Sequence, residues 1–372
     1  MWDRARSRPA STDRSSSTMN LDRLRPAILP VAAVVVALTI GAVIVAVDGS
    51  SPLGAATAIW VAAFSGPDAI GATLEKATPL VFAGLAVIVG VKAGLFNIGA
   101  QGQLLVGAIT SAYAGYRFAG LSPLVHLPLC LLIGVVFGAL PAWLAGVLRA
   151  KRGVHEVIVT IMLNTIIFNL TDWLAGGPWM EPGQVISRTP PIVGSARMGR
   201  VAGLPTGFVL AMLVTVAVWF MLEHTTFGFR LATVGANRHA AHYAGISVGA
   251  VTVAAMTLSG ALAGLGGAVE SLGVVGRFEP GFNAGLGFDG ITIALLARVS
   301  PRAVVPAALF IGALRASSSE LQAGAHVAPA IVDVVLGVAL LLVAAPLLLR
   351  WLLRMPPSLS TAEVQFTRGW GS

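Results

Sequence analysis

From Ile28 to Val47 the sequence contains no charged residue, and runs of the same kind recur through to Leu349. About 20 such residues cross the hydrocarbon of a bilayer, and only helices and closed barrels can span it with every backbone group paired. The runs lack the apolar–polar alternation of barrel strands, so they predict an all-α, polytopic membrane protein. Composition agrees. The 372 residues are 56% hydrophobic and 11% charged, with mean hydropathy +0.84, whereas a soluble domain carries about 25% charged residues.

Charges between the runs set an expected topology of about ten helices with both termini cytoplasmic. Arg23 and Arg25 hold the N-terminus inside. Helices follow over about 28–47, 78–91, 95–116, 124–148 and 157–174, with residues 52–75 outside or along the interface. Arg149, Lys151 and Arg152 are the strongest cytoplasmic marker. Polar loops 176–203 (outside) and 223–247 (inside) flank a helix over 204–222. The remaining helices cover about 248–271, 287–297, 303–314 and 328–349. Residues 1–27 are expected to be a disordered cytoplasmic tail, with Met19 as a natural start. Residues 28–354 form the transmembrane domain and 355–372 a cytoplasmic tail. Phe96–Leu105 and Phe282–Ile291 share Phe-Asn-x-Gly before an apolar helix. That map places them near opposite faces, the mark of an inverted repeat.

Several chemistries are excluded or unsupported. The net charge of +8 comes from arginines scattered between apolar runs, which points to anionic lipid and not nucleic acid. Cys130 stands alone, so there is no internal disulfide. The three lysines, Lys76, Lys92 and Lys151, fit no G-x-x-x-x-G-K-[ST], so no P-loop cradles ATP. His155-Glu156 begins a zinc motif that ends at Val159, and Ser247 sits in a G-x-S-x-G match without strand-to-helix context. His239 and His242 have no third ligand nearby. No metal and no cofactor are expected. Glu156, Asp172, Glu270, Asp289 and Asp333 map near helix ends, without a deep ion pair.

Two apolar segments carry unexpected polarity. "LFNIGAQGQLLVGA", Leu95 to Ala108, holds Asn97, Gln101 and Gln103 among glycines that permit irregular backbone. Glu156, Thr160 and Asn164 share one helix face. Gly134/Gly138 and Gly260/Gly264 are spaced for close helix contact. On the inner side, Asn237 is placed to cap a short alanine-rich helix, Arg238–Tyr243, which Gly245 stops in a left-handed conformation.

"HAAHYAG", His239 to Gly245, resembles the E-A-A-x-x-x-G coupling element of ABC-importer permeases, with His239 replacing the glutamate. Together with Ala77–Ala108, Arg152–Asn164, Gly228–Ile246 and Gly287–Pro301, it makes residues 70–350 resemble the branched-chain amino acid, ribose and nucleoside permeases. The Asn-Ile-Gly-x-Gln-Gly stretch is most like the nucleoside or simple-sugar branch. The resemblance implies a ten-helix permease in the cell membrane, without its own ATPase. Implied partners are two cytoplasmic ABC ATPases, a second permease (a paralogue) and an extracytoplasmic binding protein. Coupling then falls to Gly228, Arg230, Gly235, Asn237, Ala240, Ala241 and Gly245. The solute path falls to Asn97, Gln101, Gln103, Thr160, Asn164 and Asn283, and docking of the binding protein to Arg188, Arg197 and Arg200. Interhelical bonding is an equal reading of the amides. A secondary carrier and a branched-chain amino acid permease remain the alternatives.

Overall fold

The computed structural model describes residues 19–345, apart from 202, 282–284 and 329. Residues 1–18 of the expected N-terminal tail (1–27), the whole expected C-terminal tail (355–372) and the candidate Asn283 lie outside the described residues, whereas 19–27, expected to be disordered, open the first helix. In chain order the helices are α1 (Met19–Val47), α2 (Pro52–Phe64), α3 (Pro67–Lys92), α4 (Ala100–Arg117), α5 (Pro123–Arg152) and α6 (Glu156–Gly176). A two-stranded hairpin follows, β1 (Arg200–Val201) paired antiparallel with β2 (Leu204–Pro205). Then come α7 (Thr206–His224), α8 (Thr226–Ala236), α9 (Arg238–Tyr243), α10 (Val248–Glu270), α11 (Leu286–Leu296), α12 (Pro301–Ala316), α13 (Ser318–Gly324) and α14 (Ala330–Ala344).

Six helical stretches are long and apolar enough to cross a membrane: 67–92, 123–152, 156–176, 206–224, 248–275 and 301–324. Four shorter apolar helices, 31–47, 52–64, 286–296 and 330–344, accompany them. Each apolar run read from the sequence is helical over most of its described residues. α4 is absent from both groups because protein surrounds it. Fourteen of its residues are buried, including Gln101, Gln103, Thr110 and Ser111, and a helix shielded from lipid need not be apolar.

α3 and α10 form the centre, with α4 and α5 packed on α10, and α11 and α12 on α3. Glycine makes the α4–α5–α10 contact possible. A Cβ on Gly264 would lie 2.8 Å from the Gly138 Cα, and one on Gly107 would lie 2.6 Å from the Gly264 Cα. Where apolar lipid supplies no hydrophobic drive between helices, such backbone approach is the main source of attraction.

Four expectations need correction. The helix expected from about Thr78 starts at Pro67 as α3, and the residues before it, 52–64, form α2. The segment 223–247, expected inside, holds a second helix, α8, whose two glycines hid its amphipathic pattern. Shielded acidic groups exist: Arg315 Nε donates to Asp289 Oδ2 at 2.7 Å, and Glu156 and Glu270 are 5% and 1% exposed. Lastly, the helices behind the two Phe-Asn-x-Gly motifs do not start at opposite faces. The Gly287 N–H donates to Gln101 Oε1 at 2.7 Å, so α4 and α11 begin against each other. At 1.5 Å per residue, α11 is about 16 Å long and cannot reach across a ~30 Å layer.

Candidate functional site

The surface expected on the cytoplasmic side is built by α8 and α9. The Thr225 hydroxyl accepts from the Gly228 N–H at 3.2 Å and starts α8. The Asn237 Oδ1 accepts from the Ala240 N–H at 3.0 Å and starts α9. Gly245 closes it at φ +76°, with its N–H donating to the His242 carbonyl at 3.0 Å. The helix then points in two directions. Ala241 is fully buried in an apolar cluster with Ala93, Leu95, Ala145, Leu231, Val234 and Met256. His239, Ala240, His242 and Tyr243 are exposed, Tyr243 at 90%. Arg230 is exposed, whereas Arg238 is partly buried. Burial and the nearby Arg149 lower the pKa of Arg238, with Glu156 opposing them. Asn237→Ala should cost about 1 kcal/mol of local stability. Amide exchange over residues 238–244 should quicken while the thermal midpoint holds, and unchanged exchange would remove the cap from the account.

This surface rests directly on the polar break between α3 and α4. A Cβ on Gly235 would lie 2.9 Å from the Gly94 N and 3.0 Å from the Ala93 carbonyl carbon, and would also collide with the Lys92 carbonyl. Gly94 itself sits at φ +68°. Two α6 side chains hold the break further on. Glu156 Oε1 accepts from the Phe96 N–H at 3.4 Å, while Arg149 Nε lies 3.1 Å from Glu156 Oε2. Asn164 accepts from the Gly102 N–H and donates to the Ile98 carbonyl, both at 2.9 Å.

Inside the break the amides partner one another. Asn97 Nδ2 donates to Gln103 Oε1 at 2.7 Å and to Ser259 Oγ at 2.8 Å, and Gln103 Nε2 returns to Asn97 Oδ1 at 3.0 Å. Ser259 in turn donates to the Ala86 carbonyl at 2.6 Å, tying α10 to α3. Thr160 is fully buried and donates to the Val157 carbonyl at 3.1 Å. The break therefore meets its backbone and amide needs from protein, the condition for irregular chain within a membrane.

The loop expected outside, 176–203, is pinned by side-chain contacts. His126, fully buried, lies 2.8 Å from Ser195 Oγ through Nδ1 and 3.1 Å from the Ala114 carbonyl through Nε2. Arg188 and Arg277 both hold Glu181, at 2.7 and 3.1 Å. Arg200 meets Glu75 at 3.1 Å. Arg197 is exposed.

Comparison with known proteins bears on what this architecture is for. Residues 69–344 match the family described as "Branched-chain amino acid transport system / permease component". The chain belongs to this permease family. The permease is 36% identical to the guanosine ABC transporter permease protein NupP of Bacillus subtilis, over 89% of this chain and 97% of that one. It is 30% identical to the nucleoside ABC transporter permease protein NupB of Lactococcus lactis, over 94% and 99%. It is 34% identical to the glucose ABC transporter permease protein TsgB13 of Haloferax volcanii, over 84% and 85%. No solved structure matches. The permease is thus a multi-pass membrane protein of the cell membrane.

Within the permease, five of the six path candidates, Asn97, Gln101, Gln103, Thr160 and Asn164, are buried at one junction of α4 with α6, α10 and α11. Of the coupling candidates, Gly228, Gly235 and Ala241 form inward contacts, whereas Arg230 and Ala240 face outward. The docking arginines are not equivalent, since Arg188 and Arg200 have acidic partners within the chain. Sequence reading missed Ser259, an ordinary serine until α10 places it beside Asn97, and the Asp289–Arg315 pair, whose members lie on different helices.

Proposed function

We propose that the permease is the membrane subunit of an ATP-driven importer for nucleosides or closely related sugars, moved from the cytoplasmic side by two separate ABC ATPase subunits. The substrate class follows the printed names of the relatives above. The energy source follows the same names, all of ABC transporter permeases. The observation that carries the coupling is the seat of Gly235 and Ala241 on the α3–α4 break: force on α9 reaches the polar junction through backbone contact, without a flexible linker.

On this reading Gly228, Arg230, Gly235, Asn237, Ala240, Ala241 and Gly245 receive the ATPase. The amides at Asn97, Gln101, Gln103 and Asn164 brace the closed break beside the solute path, and its opening exchanges their bonds. The second permease is a paralogue, since NupQ and NupC, which share the names and organisms of NupP and NupB, also match this chain, at 26% and 30% identity. An extracytoplasmic binding protein docks on the outer loop, with exposed Arg197 offering more to it than Arg188 or Arg200. Ten spans with both termini cytoplasmic complete the proposed topology.

Purification from native membranes tests this. The permease should bring down a P-loop ATPase, and reconstituted alone in liposomes it should not accumulate solute. Accumulation without an ATPase would establish a secondary carrier instead. A thermal-shift screen of the co-encoded binding protein should favour nucleosides over pentoses and branched-chain amino acids.

A further inference from the structure

Asn164 and Asn169 stand on the same helix but face opposite ways. The buried side of α6 carries Glu156, Thr160, Asn164, Ile167 and Thr171. Its other side is exposed, and among apolar neighbours such as Ile161, Met162, Ile166 and Trp173 it presents Thr165, Asn169 and Asp172. Their spacing of i, i+4, i+7 makes one stripe along the helix. Over 128–148 of α5 and 206–220 of α7 every exposed position is apolar, and over 31–47 of α1 the exposed polar side chain is Thr39 alone.

Hydrocarbon cannot satisfy such a stripe. Asn169 Nδ2 donates to the Thr165 carbonyl at 2.7 Å, which leaves the second N–H and the acceptor oxygen of that amide for a group outside the chain. By helical rise, Thr165 lies about 14 Å along α6, near the middle of a ~30 Å layer, with Asn169 about 6 Å further and Asp172 close to the outer boundary. The opposite face of α6 is clamped to the break through Asn164, on the Gly102 N–H and the Ile98 carbonyl. A shift of the break therefore moves this face.

We infer that the Thr165–Asn169–Asp172 face of α6 lines the aqueous solute path, where the second permease closes it, and hydrogen-bonds an uncharged solute bearing hydroxyl and amide groups. The inference rests on the importer reading above. Thr165 and Asn169 both donate and accept, as a ribose or nucleobase requires. Asp172 sits at the outer mouth with no cation on its face of α6, so a phosphorylated form of the same solute meets repulsion.

Cysteine substitution tests it in the assembled transporter, because the native Cys130 is fully buried. Thr165→Cys and Asn169→Cys should react with a charged, membrane-impermeant methanethiosulfonate at least tenfold faster than Leu213→Cys, an exposed α7 position facing lipid. Modification at residue 169 should cut guanosine uptake at least tenfold and leave ATPase co-purification unchanged. If Asn169→Cys reacts as slowly as Leu213→Cys, or if its modification spares uptake, the path does not run along this face. Failure of the unmodified permease to retain an ATPase would overturn the importer reading itself, and this inference with it.

Discussion

Gly264→Val abolishes recovery of folded permease. The Cβ it introduces would sit 2.8 Å from the Gly138 Cα and 3.2 Å from the Gly138 N and collide with the Gly134 carbonyl. All three obstacles are backbone, so no rotamer change relieves them. α10 would have to withdraw from α4 and α5 together, which also pulls Ser259 from Asn97 and from the Ala86 carbonyl. Overpacking a core costs ~1–3 kcal/mol where side chains can adjust, and here they cannot. The monodisperse fraction in detergent should fall at least tenfold. Gly337→Val on α14 is the matched control, because a Cβ there meets nothing within 4 Å. Equal recovery of the two variants would show that the glycine seam is not what holds the centre together.

Gly235→Leu separates coupling from folding. The residue lies near the exposed end of α8, yet its inner side abuts Lys92, Ala93 and Gly94. A leucine there has room only if the α8 end lifts away from the break. The central seam is untouched, so the thermal midpoint should stay within a few degrees of the parent. Uptake should fall at least tenfold with the ATPase still bound and hydrolysing, since α9 would move without the break. Ala241→Trp should act alike by lifting α9 from its buried cluster. Uptake at the parent rate in both variants would end the assignment of α8 and α9 as the coupling element.

Much of this protein is legible in one dimension. The apolar runs mark their helices, because a bilayer sets the required length and hydrocarbon excludes charge. Asn237 and Gly245 mark the two ends of α9, because a cap bonds within three residues and a left-handed stop needs only its own φ. Gly134/Gly138 and Gly260/Gly264 mark close helix contact through their spacing alone. α8 is less legible, since Gly228 and Gly235 are there for tertiary contact, and glycine normally argues against a helix.

Sequence by itself determined that the chain is a membrane-spanning helical protein without a P-loop, and where its capped inner helix lies, because these depend on neighbours a few residues apart. Only the tertiary structure decided what each polar group faces. Asn97 meets Ser259 across 162 positions, Gln101 meets Gly287 across 186, and Gly235 meets Gly94 from another part of the chain. The two sides of α6 have much the same composition, yet one clamps the break and the other is left open. Spacing assigns residues to a helix face, but packing alone fixes which face turns inward.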